Sequence, residues 1–246
     1  MYTWSKIFWH SDRESEPQFM IIDKLLAGAV KIYLRSQVEQ VKNIKVKITA
    51  KDRQILSGQL PQVFIAASSA VYQGIYLRQL AVTGKNILLN LPEILERKPL
   101  RLLEPIKVQV QALLTESDLQ SSLGSELFLS ALADFWHDLR LQQELSLSDY
   151  SEITWQTITL QENLVVMAGK LQRSEEEDIF VQITTDLQLF NQQTLIFTLL
   201  DVEGIPELGN QEWQPLKIDL GDGVAIADLS ISQDKLFASA EITIFP

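Results

Sequence analysis

The chain has no cysteine among its 246 residues. That excludes disulfides, thiolate nucleophiles and cysteine-ligated zinc together, and it fits a reducing compartment. Histidine is nearly as scarce, with only His10 and His137. In "ADFWHDLR", Asp134, His137 and Asp138 share helical spacing, but spacing alone closes no metal shell, so His137 reads as a helix-surface residue. No G-x-S-x-G elbow, Walker loop or G-x-G-x-x-G is present. "LGDGVA" (220–225) reads instead as a turn centred on Asp222–Gly223. No window approaches ~18 uninterrupted apolar residues, so no membrane-spanning helix is expected. "MYTWSKIFWHSDRESEPQF" at the start has no apolar core of signal-peptide length. These absences predict a cytoplasmic protein with no enzymatic activity, no metal and no cofactor.

What is present is a folded, charged and unevenly loaded chain. Hydrophobic residues make up 46% and charged residues 22%, enough for a sizeable core. The net charge of −11 hides an asymmetry. Residues 1–115 carry 16 Lys and Arg against 9 Asp and Glu, and residues 116–246 carry 5 against 23. Lys24, Lys31, Arg35, Lys42, Lys45, Lys47, Lys51 and Arg53 face only Asp23, Glu39 and Asp52. Such a surface can meet a phosphate-bearing partner, or it can be one of two solvated faces of different charge. "SEEEDI" (174–179) reads as a solvated hairpin tip. Acidic overall and without a recognised module, the chain is not expected to bind nucleic acid.

Periodicity supplies the elements. From Phe19 to Val41, Ile22, Leu25, Leu26, Val30, Tyr33, Leu34 and Val38 recur at spacings of three and four, which predicts a long amphipathic helix after Pro17. The period then becomes two: Ile44, Val46, Ile48 and Ala50 alternate with Lys45, Lys47 and Thr49. Further strands are predicted at 53–57, 61–68, 74–83, 85–91 and 106–112. Within 74–83, Ile75, Leu77 and Ala81 alternate with Tyr76, Leu80 and Val82, so both faces are apolar and both need cover. Thr115 with Asp118 approximates a capping box that opens a helical region over 115–144, broken near Gly124. Strands return at 152–160, 163–172, 179–190, 194–201, 214–220, 224–231 and 235–244. The expected class is α+β, with curved, largely antiparallel sheets packed on long amphipathic helices. The expected organisation is a flexible aromatic segment (1–18) followed by one domain (19–246). "MYTWSKIFW", with Tyr2, Trp4, Ile7, Phe8 and Trp9 beside Lys6, suits either a membrane interface or ordinary packing.

Two stretches carry a family resemblance: "ILSGQLPQVFIAASSAVYQGIYLRQLAVTGKNILLNL" (55–91) and "KPLRLLEPIKVQVQALLTESDLQSSL" (98–123). Their Leu56-Ser57-Gly58 turn, Tyr72-Gln73-Gly74, Pro99-Leu100-Arg101 and "LTESDL" helix start resemble the LmeA-like phospholipid-binding family, and "PLKIDLGDGVAIADLSI" (215–231) resembles its closing strands more loosely. The resemblance implies a bacterial phospholipid-binding protein whose sheet and helices enclose an elongated apolar groove, and it implies no reaction. Many family members are exported; without a signal peptide, this chain is expected on the cytoplasmic side of a plasma or thylakoid membrane.

A lipid groove assigns roles to residues. Leu26, Val30, Tyr33, Tyr72, Ile75, Leu77, Leu80 and Ile87 are the candidate apolar lining. Lys45, Lys47, Arg78 and Arg101 are the candidates for an anionic headgroup or membrane surface. The expected function is phospholipid binding or lipid shuttling, acting peripherally at a membrane. The competing expectation is a protein–protein interaction scaffold with a filled core and no lipid.

Overall fold

A computed structural model describes residues 28, 30, 31, 35, 38–51, 54, 55, 57–90, 101–142, 150–173, 177–205 and 213–246. Four strands come first: β1 (Gln40–Thr49), β2 (Gln59–Tyr72), β3 (Ile75–Leu88) and β4 (Ile106–Thr115). Helices α1 (Glu116–Ser122) and α2 (Glu126–Gln142) follow. The chain continues through β5 (Tyr150–Gln161), β6 (Leu164–Arg173), β7 (Ile179–Asn191), β8 (Thr194–Glu203) and β9 (Leu216–Asp219). It closes with β10 (Val224–Ser232) and β11 (Lys235–Ile244). The first sheet runs β1-β2-β3-β4-β11-β10 and the second β5-β6-β7-β8-β9. All the pairings are antiparallel.

The fold class therefore needs correction. The described chain is 64% strand, and its two helices have 7 and 17 residues, so the sheets do not rest on long amphipathic helices. The helix predicted over 19–41 fails at its end: Val38 and Glu39 form a bend and β1 starts at Gln40. Val38 and Val41 fit a helical stripe and a strand equally well, and the β-branched run that follows settles the matter by pairing with β2. Gly28, Val30, Lys31 and Arg35 have helical backbone; Leu26, Tyr33 and most of that predicted helix lie outside the described residues, as does the aromatic segment 1–18. The strand predicted at 53–57 is also absent, with helical backbone at Gln54 and Ile55. The two strands predicted at 74–83 and 85–91 are one, β3. Gly84 does not break it, because the side chain it lacks leaves room for Ile87: a Cβ there would lie 2.8 Å from Ile87 Cδ1.

The helical region forms as its capping chemistry dictates. Thr115 Oγ1 accepts from the Asp118 N–H at 3.3 Å while Asp118 Oδ2 accepts from the Thr115 N–H at 2.9 Å, a reciprocal capping box. After the break at Leu123–Gly124, Ser125 Oγ accepts from the Phe128 N–H at 3.2 Å and starts α2. Leu132, Phe135, Trp136 and Leu139 of α2 fall at i, i+3, i+4 and i+7 and are all buried against the second sheet. There they meet Ile158, Leu160, Met167, Leu171, Val181 and Ile183, with the Phe135 and Phe197 rings 5.2 Å apart.

The sheets are stitched where they meet. On α1, Glu116 Oε2 accepts from the Leu160 N–H at 3.0 Å and Gln120 Oε1 from the Ile158 N–H at 3.2 Å. The β10 side is closed by hydrogen bonds from Ile226 N–H to the Gln192 carbonyl (2.6 Å) and from Asn163 N–H to the Ile231 carbonyl (3.2 Å). Exposed edge groups are thus covered by side chains and hairpin tips.

Candidate functional site

Pairing registers decide which side chains share a face of the first sheet, because directly opposed residues project to the same side. Val46 lies opposite Ile65 and Ile48 opposite Val63. Ile65 continues to Val82 and Ala67 to Leu80. Val82 and Leu80 continue to Val110 and Ala112, which meet Ala240 and Ala238. The result is an apolar floor across five strands, about 19 Å wide at the usual strand spacing.

Buried clusters pack at both ends of this floor, and Val46, Ile48, Ile65, Val82 and Val110 rest partly against one of them. At one end Val30, Ile55, Leu60, Ile87 and Leu89 are buried in a cluster with Val63 and Val108. At the other, Leu114, Leu236 and Ile231 pack into the core of the second sheet. Between these clusters Ile65, Leu80, Val82, Val110, Ala112 and Ala238 are only half-buried. The small residues Ala67, Ala112, Ala238 and Ala240 make this strip shallow.

The outer face is mixed, setting lysines beside apolar side chains. Lys45 aligns with Ala66, Ala81, Gln111 and Ser239, and Lys47 with Phe64, Thr83, Gln109 and Glu241. Alternation adds Lys85 on β3 and Lys107 on β4 to the same side. Lys107 Nζ donates to Glu241 Oε1 at 2.8 Å, and Gln109 Nε2 to Glu241 Oε2 at 2.9 Å. Lys85 and Lys107 were not among the predicted headgroup residues; only the pairing of distant strands reveals that they join Lys45 and Lys47.

The predicted lining residues separate. Val30 and Ile87 are buried together in the cluster that closes one end of the floor, and Leu80 lies on the floor itself. Leu77, two positions from Gln79 and four from Ala81, projects from the outer face, as does Ile75 with its partner Tyr72. Tyr72 is exposed, and its hydroxyl accepts from Gln73 Nε2 at 3.2 Å. Ile65, Val82, Val110, Ala112 and Ala238 complete the floor without having been predicted. Their signal was the one-sided alternation of 61–68, 106–112 and 235–244, readable as a shared surface only once the strands are paired.

The four predicted cations separate as well. Lys45 and Lys47 stand on the outer face of β1. Arg78 is held by Asp118, with Nε to Oδ2 at 3.2 Å and Nη2 to Oδ1 at 3.1 Å, and Nη2 reaches Thr115 Oγ1 at 3.3 Å. Arg101 is exposed beyond the end of β3, its backbone N–H donating to Asn90 Oδ1 at 2.9 Å.

On α2, Asp134 and His137 line an open cleft with Arg140, Glu152 and Trp155. Among the described residues no three His, Asp or Glu side chains converge as metal ligands, and no helix is long and apolar enough to cross a membrane.

Fold and surface together define a β-rich protein built on a sheet with one apolar and one lysine-bearing face. The family model for LmeA-like phospholipid-binding proteins matches residues 21–241, nearly the whole chain. The chain belongs to that family. No curated protein and no solved structure matches it.

Proposed function

We propose that this protein binds a phospholipid without chemically altering it, laying the acyl chains along the half-buried apolar floor of the first sheet and shuttling the lipid at a membrane surface. The observation that supports this reading is the continuity of the floor: five strands contribute apolar or small side chains without an intervening polar group. Each lipid CH₂ taken out of water contributes ~0.8 kcal/mol, so a carrier needs apolar area rather than reactive groups. The family's phospholipid binding supports the choice of ligand class. Lysines on the outer face favour an anionic membrane over a neutral one.

Native mass spectrometry of gently purified protein, followed by solvent extraction, tests the proposal. A reproducible, near-stoichiometric phospholipid adduct is expected. Lipid-free protein that also takes up no phospholipid from vesicles would overturn it and leave a scaffold with a filled core as the better account.

A further inference from the structure

One rim of the first sheet combines exposed apolar side chains with lysines. At this rim β1 ends, β2 begins, β3 ends, β4 begins and β11 ends. Phe245 is 68% exposed, Leu103 48% and Ile244 40%. The register seats Ile244 opposite Ile106 at the start of β4, and the Leu103 N–H donates to the Leu88 carbonyl at 2.9 Å, so all three belong to one border. Lys107 lies one residue inside that border, its side chain 71% exposed despite the pairing with Glu241. Lys85 lies one residue beyond the Gly84–Val108 pair, Lys51 just past β1 and Arg101 just ahead of Leu103. Against these cations, the described residues of the rim include Glu104, Glu241 and Asp222. A cavity of about 380 Å³ at the same rim is lined by Leu60, Pro61 and Ile87 together with Gln54, Asn86 and Glu104. Leu60 and Ile87 also belong to the cluster that closes the apolar floor.

The opposite end of the sheet also exposes apolar groups and carries Lys42 near the start of β1 and Lys235 at the start of β11. There the β2–β3 turn packs on the start of α2: Ser125 Oγ donates to the Gln73 carbonyl at 2.7 Å. Tyr72 and Leu127 are exposed, and the charges near them include Glu39, whose carboxylate accepts from the Gly74 N–H, Glu126 and Lys42.

We infer that the Leu103–Ile244–Phe245 rim is the part of the protein that docks on a bilayer containing anionic lipid. Exposed large apolar side chains beside flexible lysines match the layered chemistry of a bilayer interface: apolar groups enter the acyl boundary and ammonium groups meet phosphates. Docked this way, the buried cluster of Leu60 and Ile87 at that end of the floor lies toward the bilayer. The inference rests on the phospholipid-binding reading and adds an orientation to it.

The chain lacks cysteine, so single cysteines introduced at Leu103, Phe245, Tyr72 and Leu127 can each carry an environment-sensitive fluorophore. With phosphatidylcholine vesicles containing phosphatidylglycerol, labels at 103 and 245 should brighten several-fold and shift to the blue, while labels at 72 and 127 stay unchanged. The pair Lys85→Glu and Lys107→Glu should weaken vesicle binding by about tenfold or more, and wild-type binding should fall as salt rises. A response at 72 and 127 but not at 103 and 245 would overturn the orientation, as would unchanged vesicle binding in the charge-reversed variant or no vesicle binding by the wild type. The phospholipid adduct separates the two readings: a charge-reversed variant that keeps its adduct has lost docking alone. If the wild type carries and takes up no lipid, the carrier reading itself fails.

Discussion

Arg78 of β3 holds Asp118 of α1 through two hydrogen bonds, at 3.1 and 3.2 Å, while Asp118 closes the capping box with Thr115. One carboxylate thus starts the helix and fastens it to the strand. The pair stands where β4 parts from β3 while staying paired with β11: Gln79 still faces Leu113, but the next residues of β3 turn to α1, whose Ser122 Oγ accepts from the Tyr76 N–H at 2.9 Å.

Asp118→Ala should therefore cost more than Arg78→Ala. Asp118 is nearly buried, with a side chain 11% exposed, and its loss removes a cap and leaves donors unmatched, about 2–3 kcal/mol. The Arg78 side chain is 45% exposed and solvent screens its charge, so its removal should cost about 1 kcal/mol or less. Urea unfolding of the single and double variants checks this, with sub-additive losses as the signature of direct coupling.

Filling the floor should block the ligand without unfolding the protein. Ala112→Phe and Ala238→Phe place rings on the half-buried strip of the floor. The phospholipid adduct should fall several-fold while the melting temperature holds or rises. An adduct of undiminished intensity would mean that the lipid lies elsewhere.

Gly169 of β6 should tolerate no side chain. An added Cβ would lie 2.5 Å from the Thr154 carbonyl oxygen and 2.9 Å from Trp155 Cα, and both are backbone atoms of the neighbouring strand. Gly169→Ala should cost about 1–3 kcal/mol, with the strands forced apart. Chemical denaturation and amide exchange across the β5–β6 pair would register it.

Along α2, two leucines two residues apart should behave differently. Leu139 is completely buried in the second-sheet core and Leu141 is 64% exposed. Leu139→Ala should cost about 2–5 kcal/mol, whereas Leu141→Ser should stay within about 0.5 kcal/mol of wild type. Thermal unfolding of the two variants gives the comparison directly.

The second half of the chain was legible in sequence almost strand by strand. Alternation over 152–160, 163–172, 179–190, 194–201, 224–231 and 235–244 falls on observed strands within a residue or two at each end. The capping pair Thr115–Asp118 and the break near Gly124 were legible for the same reason, since caps and turns are chemistry between close neighbours. The first half was harder. A stripe at spacings of three and four ran into a β-branched run without a stop signal, and Gly84 looked like a boundary when it was a packing allowance for Ile87.

The candidate site depended on contacts between residues far apart in the chain. Alternation predicted that Leu77 and Leu80 lie on opposite faces, and the pairing bears this out. It could not reveal which face was apolar throughout, because that is decided by Val110 and Ala238 on strands whose places in the sheet no local pattern encodes. Likewise, no local pattern showed that Arg78 meets Asp118, 40 residues away. Composition and local periodicity determined the strands, the caps, the charge asymmetry and the absence of cysteine chemistry. Only the tertiary structure decided which strands adjoin, and therefore where the apolar floor and the lysine face lie, because side-chain alternation sets two faces for each strand but strand pairing sets whose faces are shared.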